Sequence, residues 1–342
     1  MSEFSIAPDA IDPSVIPKRT LSDGSKIPAI GLGTFGSDAV TADKIAEAVF
    51  GAISFGYRHI DCAAVYGNEK EIGEKLDIIL RSGQIEREEL WITSKLWNDK
   101  HGVDDVIPTC KQTLSDLHLD YLDLYLVHWP FPNTHPPGCD GETRNPDARP
   151  FIPEEYLDTW TKMEELVDMG LVKHIGTSNM TIPKYEAVWE KMNIKPVVEE
   201  LEMHPHFQRP KMFTYLQDKN ILPIAYSPIG SPGRPERDRT PEDTAPTQDP
   251  VIKEIANNHG IHPAVVCIKW GIQRGQVPIP FSVNHFQQNI EGVLKEPLSE
   301  DEMNKIEKID KNCRLIKGQV FLWGDRTNWE DLWDIDGKIT PW

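Results

Sequence analysis

Short apolar runs recur along the chain, and between them polar and apolar positions fall at helical spacing. This is the pattern of repeated βα units around a parallel sheet. Eight runs read as buried strands: "AIGLGTF" (Ala29–Phe35), "RHIDCA" (Arg58–Ala63), "LWITSKL" (Leu90–Leu96), "LDLYLVHW" (Leu122–Trp129), "VKHIGTSN" (Val172–Asn179), "VVEELEMH" (Val197–His204), "LPIAYSP" (Leu222–Pro228) and "VPIPFSV" (Val277–Val283). Helical stretches separate them, such as "TADKIAEAVFGAISFG" after the first run and "TPEDTAPTQDPVIKEIANNHG" before the last. Ahead of the first run, "RTLSDGSKIP" places an Asp23-Gly24 turn between short extended pieces, a hairpin suited to plugging one end of a barrel.

Eight units with no break in composition predict one α/β domain over residues 1–342: a (β/α)8 TIM barrel with an N-terminal β-hairpin, an N-terminal extension (1–18) and a long C-terminal loop (312–342). A doubly wound sheet is the rival. It lacks support, because no G-x-G-x-x-G follows the first strand and "GLGTFG" has neither the spacing nor the helix start.

Composition narrows the function classes. With 39% hydrophobic and 26% charged residues and no long apolar run, the chain reads as globular rather than membrane-spanning or disordered. The formal net charge of -18 repels phosphate backbones and argues against nucleic acid as a partner. Cys62, Cys110, Cys139, Cys267 and Cys313 show no metal-ligand spacing, and their odd number argues against a disulfide framework. The opening "MSEFSIAPDAIDPSVIPKRT" has no basic region followed by an apolar one, so a cytoplasmic protein is expected. A monomer without a metal is expected as well.

In a barrel of this kind chemistry gathers at the carboxyl ends of the strands. Those ends carry Asp61, Tyr66, Lys95, His128, Ser178, Asn179, Glu200, His204, Tyr226, Ser227 and Ser282. Four of them make a proton-transfer set. Tyrosine, with a reference pKa of about 10, is a useful acid near neutral pH when a nearby ammonium lowers that value. Lys95 supplies the ammonium, Asp61 holds Lys95 charged, and His128 orients a substrate carbonyl. Taken singly, such residues are as often caps or packing side chains; together they point to carbonyl chemistry.

The segments "GYRHIDCAAVYGNEKEIG", "ITSKLWN", "LDLYLVHWP" and "GLVKHIGTSNM" resemble the signatures of the aldo-keto reductases, and the likeness runs from about Leu21 to about Ile309. The resemblance implies the barrel fold and reduction of aldehydes and ketones with a nicotinamide cofactor, usually NADPH. By position, Asp61, Tyr66, Lys95 and His128 match the family's catalytic tetrad. Tyr226 matches the ring stacked on the nicotinamide, Ser178 and Asn179 the residues that hold its carboxamide, and Ser227, Ile229 and Ser231 the segment that wraps the pyrophosphate.

The chain departs from the family pattern in two places. "KPVVEELEMHPH" has Glu199 and Glu200 where relatives have Asn and Gln, so the carboxamide contact made through Glu200 is altered: an ionised carboxylate accepts but does not donate. In "IPFSVNHFQQNIEG", Phe281 replaces the lysine expected before Ser282 and Val283, and the helix that follows offers His285, Gln288 and Asn289 rather than an arginine. A 2'-phosphate favours cationic partners, so use of NADH as well as NADPH is expected.

The resemblance lines the substrate pocket with Phe35, Trp97 and Trp129, and the Pro130–Pro153 insert reads as a specificity loop over the mouth. The tail adds Trp323, Trp329, Trp333 and Trp342 with Arg314, Lys317 and Arg326. These cations either meet an anionic substrate such as a sugar acid or pair with Asp325, Glu330 and Asp334 beside them. The expected activity is reduction of small aldehydes, aldoses or uronates, with Tyr66 as general acid. The alternative is a nicotinamide-binding regulatory or scaffolding barrel without turnover.

Overall fold

The computed structural model describes residues 3–36, 39–135 and 144–341. Cys139 and Trp342, and the central part of the 130–153 insert, lie outside them. A hairpin comes first, with β1 (Lys18–Thr20) antiparallel to β2 (Lys26–Pro28). Asp23 accepts from the Ser25 N–H, and Gly24 takes the left-handed φ of +90° that the turn requires.

Eight parallel strands follow, neighbours in sequence order: β3 (Leu32–Gly33), β4 (His59–Asp61), β5 (Trp91–Leu96), β6 (Leu122–Val127), β7 (Val172–Ser178), β8 (Val198–Glu202), β9 (Leu222–Tyr226) and β10 (Val277–Pro278). The sheet closes on itself. Gly33 bridges to Phe281, and the Gly31 and Gly33 N–H groups donate to the Pro278 and Pro280 carbonyls at 3.1 and 3.2 Å. A Cβ at Gly33 would sit 2.7 Å from the Ile279 carbonyl oxygen, so this close approach demands glycine. All eight expected strands are present. The first and last are much shorter than expected, because the closing segment carries Pro278 and Pro280, which cannot donate to a ladder.

The helices are α1 (Ala42–Phe55), α2 (Glu69–Arg81), α3 (Val106–Asp116), α4 (Pro153–Asp168), α5 (Ile182–Val188), α6 (Pro210–Asp218), α7 (Pro250–His259), α8 (Pro263–Arg274), α9 (Phe286–Leu294) and α10 (Glu300–Glu307). In α1, Ile45, Val49, Ala52 and Ile53 are buried at three- and four-residue spacing, and Gly56 ends the helix at positive φ. The stretch read as helical from Thr240 turns helical only at Pro250. Pro246 precedes it, and the Asp249 carboxylate caps the Val251 N–H.

One apolar cluster fills the space between helices and sheet. A second fills the amino end of the barrel, where Leu21 and Ile27 of the hairpin meet Trp91, Leu126, Val198, Ile224 and Val277. Each such fully buried aliphatic side chain contributes about 1.5–3 kcal/mol. His174 clasps this plug by stacking on Trp91 and bonding Asp23 at 2.8 Å, which leaves the carboxyl end of the strands for chemistry. The N-terminal extension runs across α1, with Phe4 buried edge-on to Phe50. Among the described residues no helix is long and apolar enough to cross a membrane.

Candidate active site

β4 ends at Asp61, and the chain turns into a single 3-10 turn, Ala64–Tyr66, closed by left-handed Gly67. That turn sets Tyr66 over the strand that carries Asp61. Lys95 lies on the neighbouring β5, wholly buried. Its Nζ reaches Asp61 Oδ2 at 2.5 Å, the Cys62 carbonyl at 3.0 Å, Glu200 Oε1 at 3.3 Å and the Tyr66 hydroxyl at 3.5 Å. His128 follows β6 with its ring edge-on to Tyr66, centroids 5.8 Å apart. The four expected proton-transfer residues therefore converge, and Glu200 of β8 joins them.

Burial dominates the electrostatics. It pushes the Lys95 ammonium towards neutrality, but Asp61 and Glu200 together outweigh it and hold Lys95 protonated well above its ordinary range. Burial raises the Tyr66 phenol above its reference value, and Lys95 only partly offsets this. The expectation that Lys95 leaves Tyr66 a lowered pKa is thus corrected: desolvation of the phenol outweighs the ammonium, which also shares its charge with two carboxylates. Burial and then Lys95 push His128 well below its usual value, so its imidazole is neutral, with Nδ1 buried and unpartnered.

Next to this group, Asn179 is held at φ +60°. Its Nδ2 donates to Ser178 Oγ at 3.1 Å and to the His128 carbonyl at 2.9 Å, and its Oδ1 accepts from the Tyr226 hydroxyl at 2.7 Å. Beyond β9, Ser227, Gly230 and Ser231 all take positive φ, a conformation of the kind found in anion-binding backbone turns, and a Cβ at Gly230 would strike Pro246 at 2.4 Å. Ile229 packs inward between them. This donor-rich, strained strip fits a nicotinamide dinucleotide and its pyrophosphate. At the far end Phe281 takes part in barrel closure, Ser282 Oγ accepts from the His285 N–H at 2.8 Å, Val283 is half-buried, His285 and Gln288 are exposed and Asn289 is buried.

The mouth is aromatic. Phe35, 44% exposed, leans on Tyr66 with centroids 5.1 Å apart, and Trp97 meets His128 at 5.1 Å, His135 at 6.4 Å and Phe321 at 6.0 Å. Phe321 and His135 were not singled out in the sequence, where a tail rich in aromatics was the only signal. The other expected pocket residues lie deeper. Trp129 and Trp323 are buried in a cluster with Phe131, Phe321 and Trp333. The Arg314 guanidinium lies 3.4 Å from the Trp333 ring centroid and is buried there.

The tail is fastened rather than loose. Lys184 of α5 pairs with Asp334, Lys317 with Asp243 at 3.1 Å, and Glu202 accepts from the Leu315 and Ile316 N–H groups at 2.8 and 2.9 Å. Arg234 also pairs with Asp243, so the tail is tied to the loop that follows β9.

The model of the Aldo/keto reductase family matches residues 29–311. An aldo/keto reductase of Synechocystis is 42% identical over 92% of this chain and 95% of its own length. Aldo-keto reductase family 1 member A1 of Bos taurus is 39% identical over 90% and 93%. The crystal structure of a Bombyx mori aldo-keto reductase in complex with NADP superposes with a TM-score of 0.77 at 34% identity, covering 90% of this chain and 96% of that one. Fold, matched span and relatives agree: the chain belongs to the aldo/keto reductase family of NAD(P)H-dependent oxidoreductases.

Proposed function

We propose that this enzyme reduces small neutral aldehydes, aldoses among them, to alcohols, with Tyr66 as the proton donor. The observation that carries the reading is the Lys95 ammonium, anchored 2.5 Å from Asp61 and 3.5 Å from the Tyr66 hydroxyl. A bound reduced nicotinamide supplies the hydride. The Tyr66 O–H gives its proton to the carbonyl oxygen, and Lys95 stabilises the phenolate left behind. Neutral His128 offers one N–H to orient the carbonyl. Phe35 and Trp97 lay apolar faces along the substrate and limit water at the mouth.

Two finer points follow from the same geometry. Lys317 is already paired with Asp243 and Arg314 is buried on the Trp333 ring, which works against a preference for uronates over aldoses. Phe281 offers no charge to a 2'-phosphate, which supports use of NADH beside NADPH.

The test follows nicotinamide absorbance with NADPH and with NADH across simple aldehydes, aldoses and the matching uronates. Aldehyde-dependent oxidation that Tyr66→Phe abolishes is the expected result. Wild-type enzyme inert across the panel would refute the reading, and a clear preference for uronates over the matching aldoses would refute the argument from committed cations.

A further inference from the structure

Glu200 is unusual in its surroundings. It is 2% exposed, and its Oε1 lies 3.3 Å from an ammonium that already has Asp61 at 2.5 Å. Its Oε2 and the Oδ1 of Asp61 are both buried with no hydrogen-bond partner. Two carboxyls and one ammonium, none more than 2% exposed, balance only if one carboxyl keeps its proton, because an extra buried charge is far costlier than a protonated acid. Asp61 sits closer to the ammonium, at 2.5 Å against 3.3 Å for Glu200, and is the better stabilised as a carboxylate. The proton therefore resides on Glu200, whose carboxyl burial and then Asp61 push well above the usual range.

We propose that Glu200 is a positioning residue that stores the proton behind Lys95 and so sets how readily Tyr66 gives up and regains its own. This rests on the reductase reading above. When Tyr66 loses its O–H proton to the substrate oxygen, one Lys95 N–H proton passes to the phenolate over the 3.5 Å contact. The Glu200 O–H proton then passes to Lys95 Nζ over the 3.3 Å contact. The phenol and ammonium are restored, and Glu200 is left as a carboxylate until solvent returns its proton between turnovers. The groups facing Glu200 are Asp61 from β4, Lys95 from β5, and Tyr66 and Tyr226 from the turn after β4 and the end of β9; its charge raises both tyrosines. Ionised Glu200 therefore hampers proton donation by Tyr66.

Glu200→Gln keeps the shape and removes the store. In the infrared difference spectrum between variant and wild type, the carbonyl band of a protonated acid should be lost. It should be lost again in Asp61→Asn, where Glu200 ionises to pair with Lys95. In the pH profile of reductive kcat, wild type should show an alkaline limb from the carboxyl pair below that of Tyr66, and Glu200→Gln should keep only the Tyr66 limb. The ratio of the two kcat values should then change by about tenfold or more as pH rises across that additional limb, as expected for loss of one ionisation. An unchanged infrared band in both variants, or superimposable profiles, overturns the assignment. A wild type that reduces no aldehyde refutes the reductase reading instead, and the infrared band still decides whether Glu200 holds the proton.

Discussion

Glu69, at the start of α2, lies beneath the active site and is 6% exposed; Ser94 Oγ donates to its Oε1 at 2.5 Å and Thr113 Oγ1 to its Oε2 at 3.3 Å. Burial outweighs both donors and raises the carboxyl from 4.5 to about 7. A raised folded-state value means that the folded protein holds this proton more tightly than the unfolded chain. The stabilisation is complete below about pH 4.5 and is lost as pH rises through about 7. The difference of about 2.5 pH units corresponds to roughly 3 kcal/mol at about 1.4 kcal/mol each. Glu69→Gln accepts from Ser94, donates to Thr113 and does not titrate, so its stability relative to wild type should rise by about 3 kcal/mol between about pH 4 and about pH 8. For a chain of 342 residues the unfolding entropy is about 0.7 kcal/mol/K, so the Tm difference should move by roughly 4 °C in favour of the variant. Paired thermal melts across that range read this directly. A difference that stays flat with pH, or moves the other way, refutes the claim that Glu69 is buried as a neutral acid.

Other outcomes follow from the same structure. Tyr66→Phe should abolish carbonyl reduction while NADPH still quenches tryptophan fluorescence, since only the phenolic proton donor is removed; more than a few per cent of wild-type kcat would sink the assignment. Phe281→Lys should improve kcat/KM for NADPH about ten- to a hundredfold with little change for NADH, the size of one charge-assisted hydrogen bond of about 1.5–3 kcal/mol; a wild type already preferring NADPH by more than about a hundredfold would show another cation at the phosphate. Lys184→Met leaves Asp334 buried and unpaired, so urea denaturation should show a loss of about 3–5 kcal/mol, or limited proteolysis early release of the tail; neither change would mean that the pair does not fasten it.

Much of the fold was legible because its signals are local. Each barrel strand is a short apolar run with turn residues after it, and Asp23-Gly24 marks its hairpin by the turn alone. Strand ends were harder to place where Pro278 and Pro280 interrupt the ladder, since loss of a donor shortens pairing without changing hydrophobicity. The proton-transfer residues were legible for a topological reason: in a parallel barrel every strand delivers its last side chains to one face, so Asp61, Lys95 and His128 meet whatever the loops do. The tail obeys no such rule. Whether Arg314 faces a substrate or lies on Trp333 depends on packing between segments far apart in sequence, and periodicity carries no trace of it.

The same distinction explains why Glu200 was visible as a departure but not as a partner of Lys95. Its position at the end of β8 could be read, since β8 registers Glu200 against Ser178 on one side and Ile224 on the other. Its contact with Lys95 crosses the barrel interior, from β8 to β5, where no register relation exists. A glutamine there would bring no charge and no competition with Asp61. A glutamate brings a third ionisable group among buried side chains, and the proton it must keep turns a structural contact into an acid-base one. The electrostatics of the Tyr66 hydroxyl are therefore set from the opposite wall of the barrel as much as from the strand that carries it.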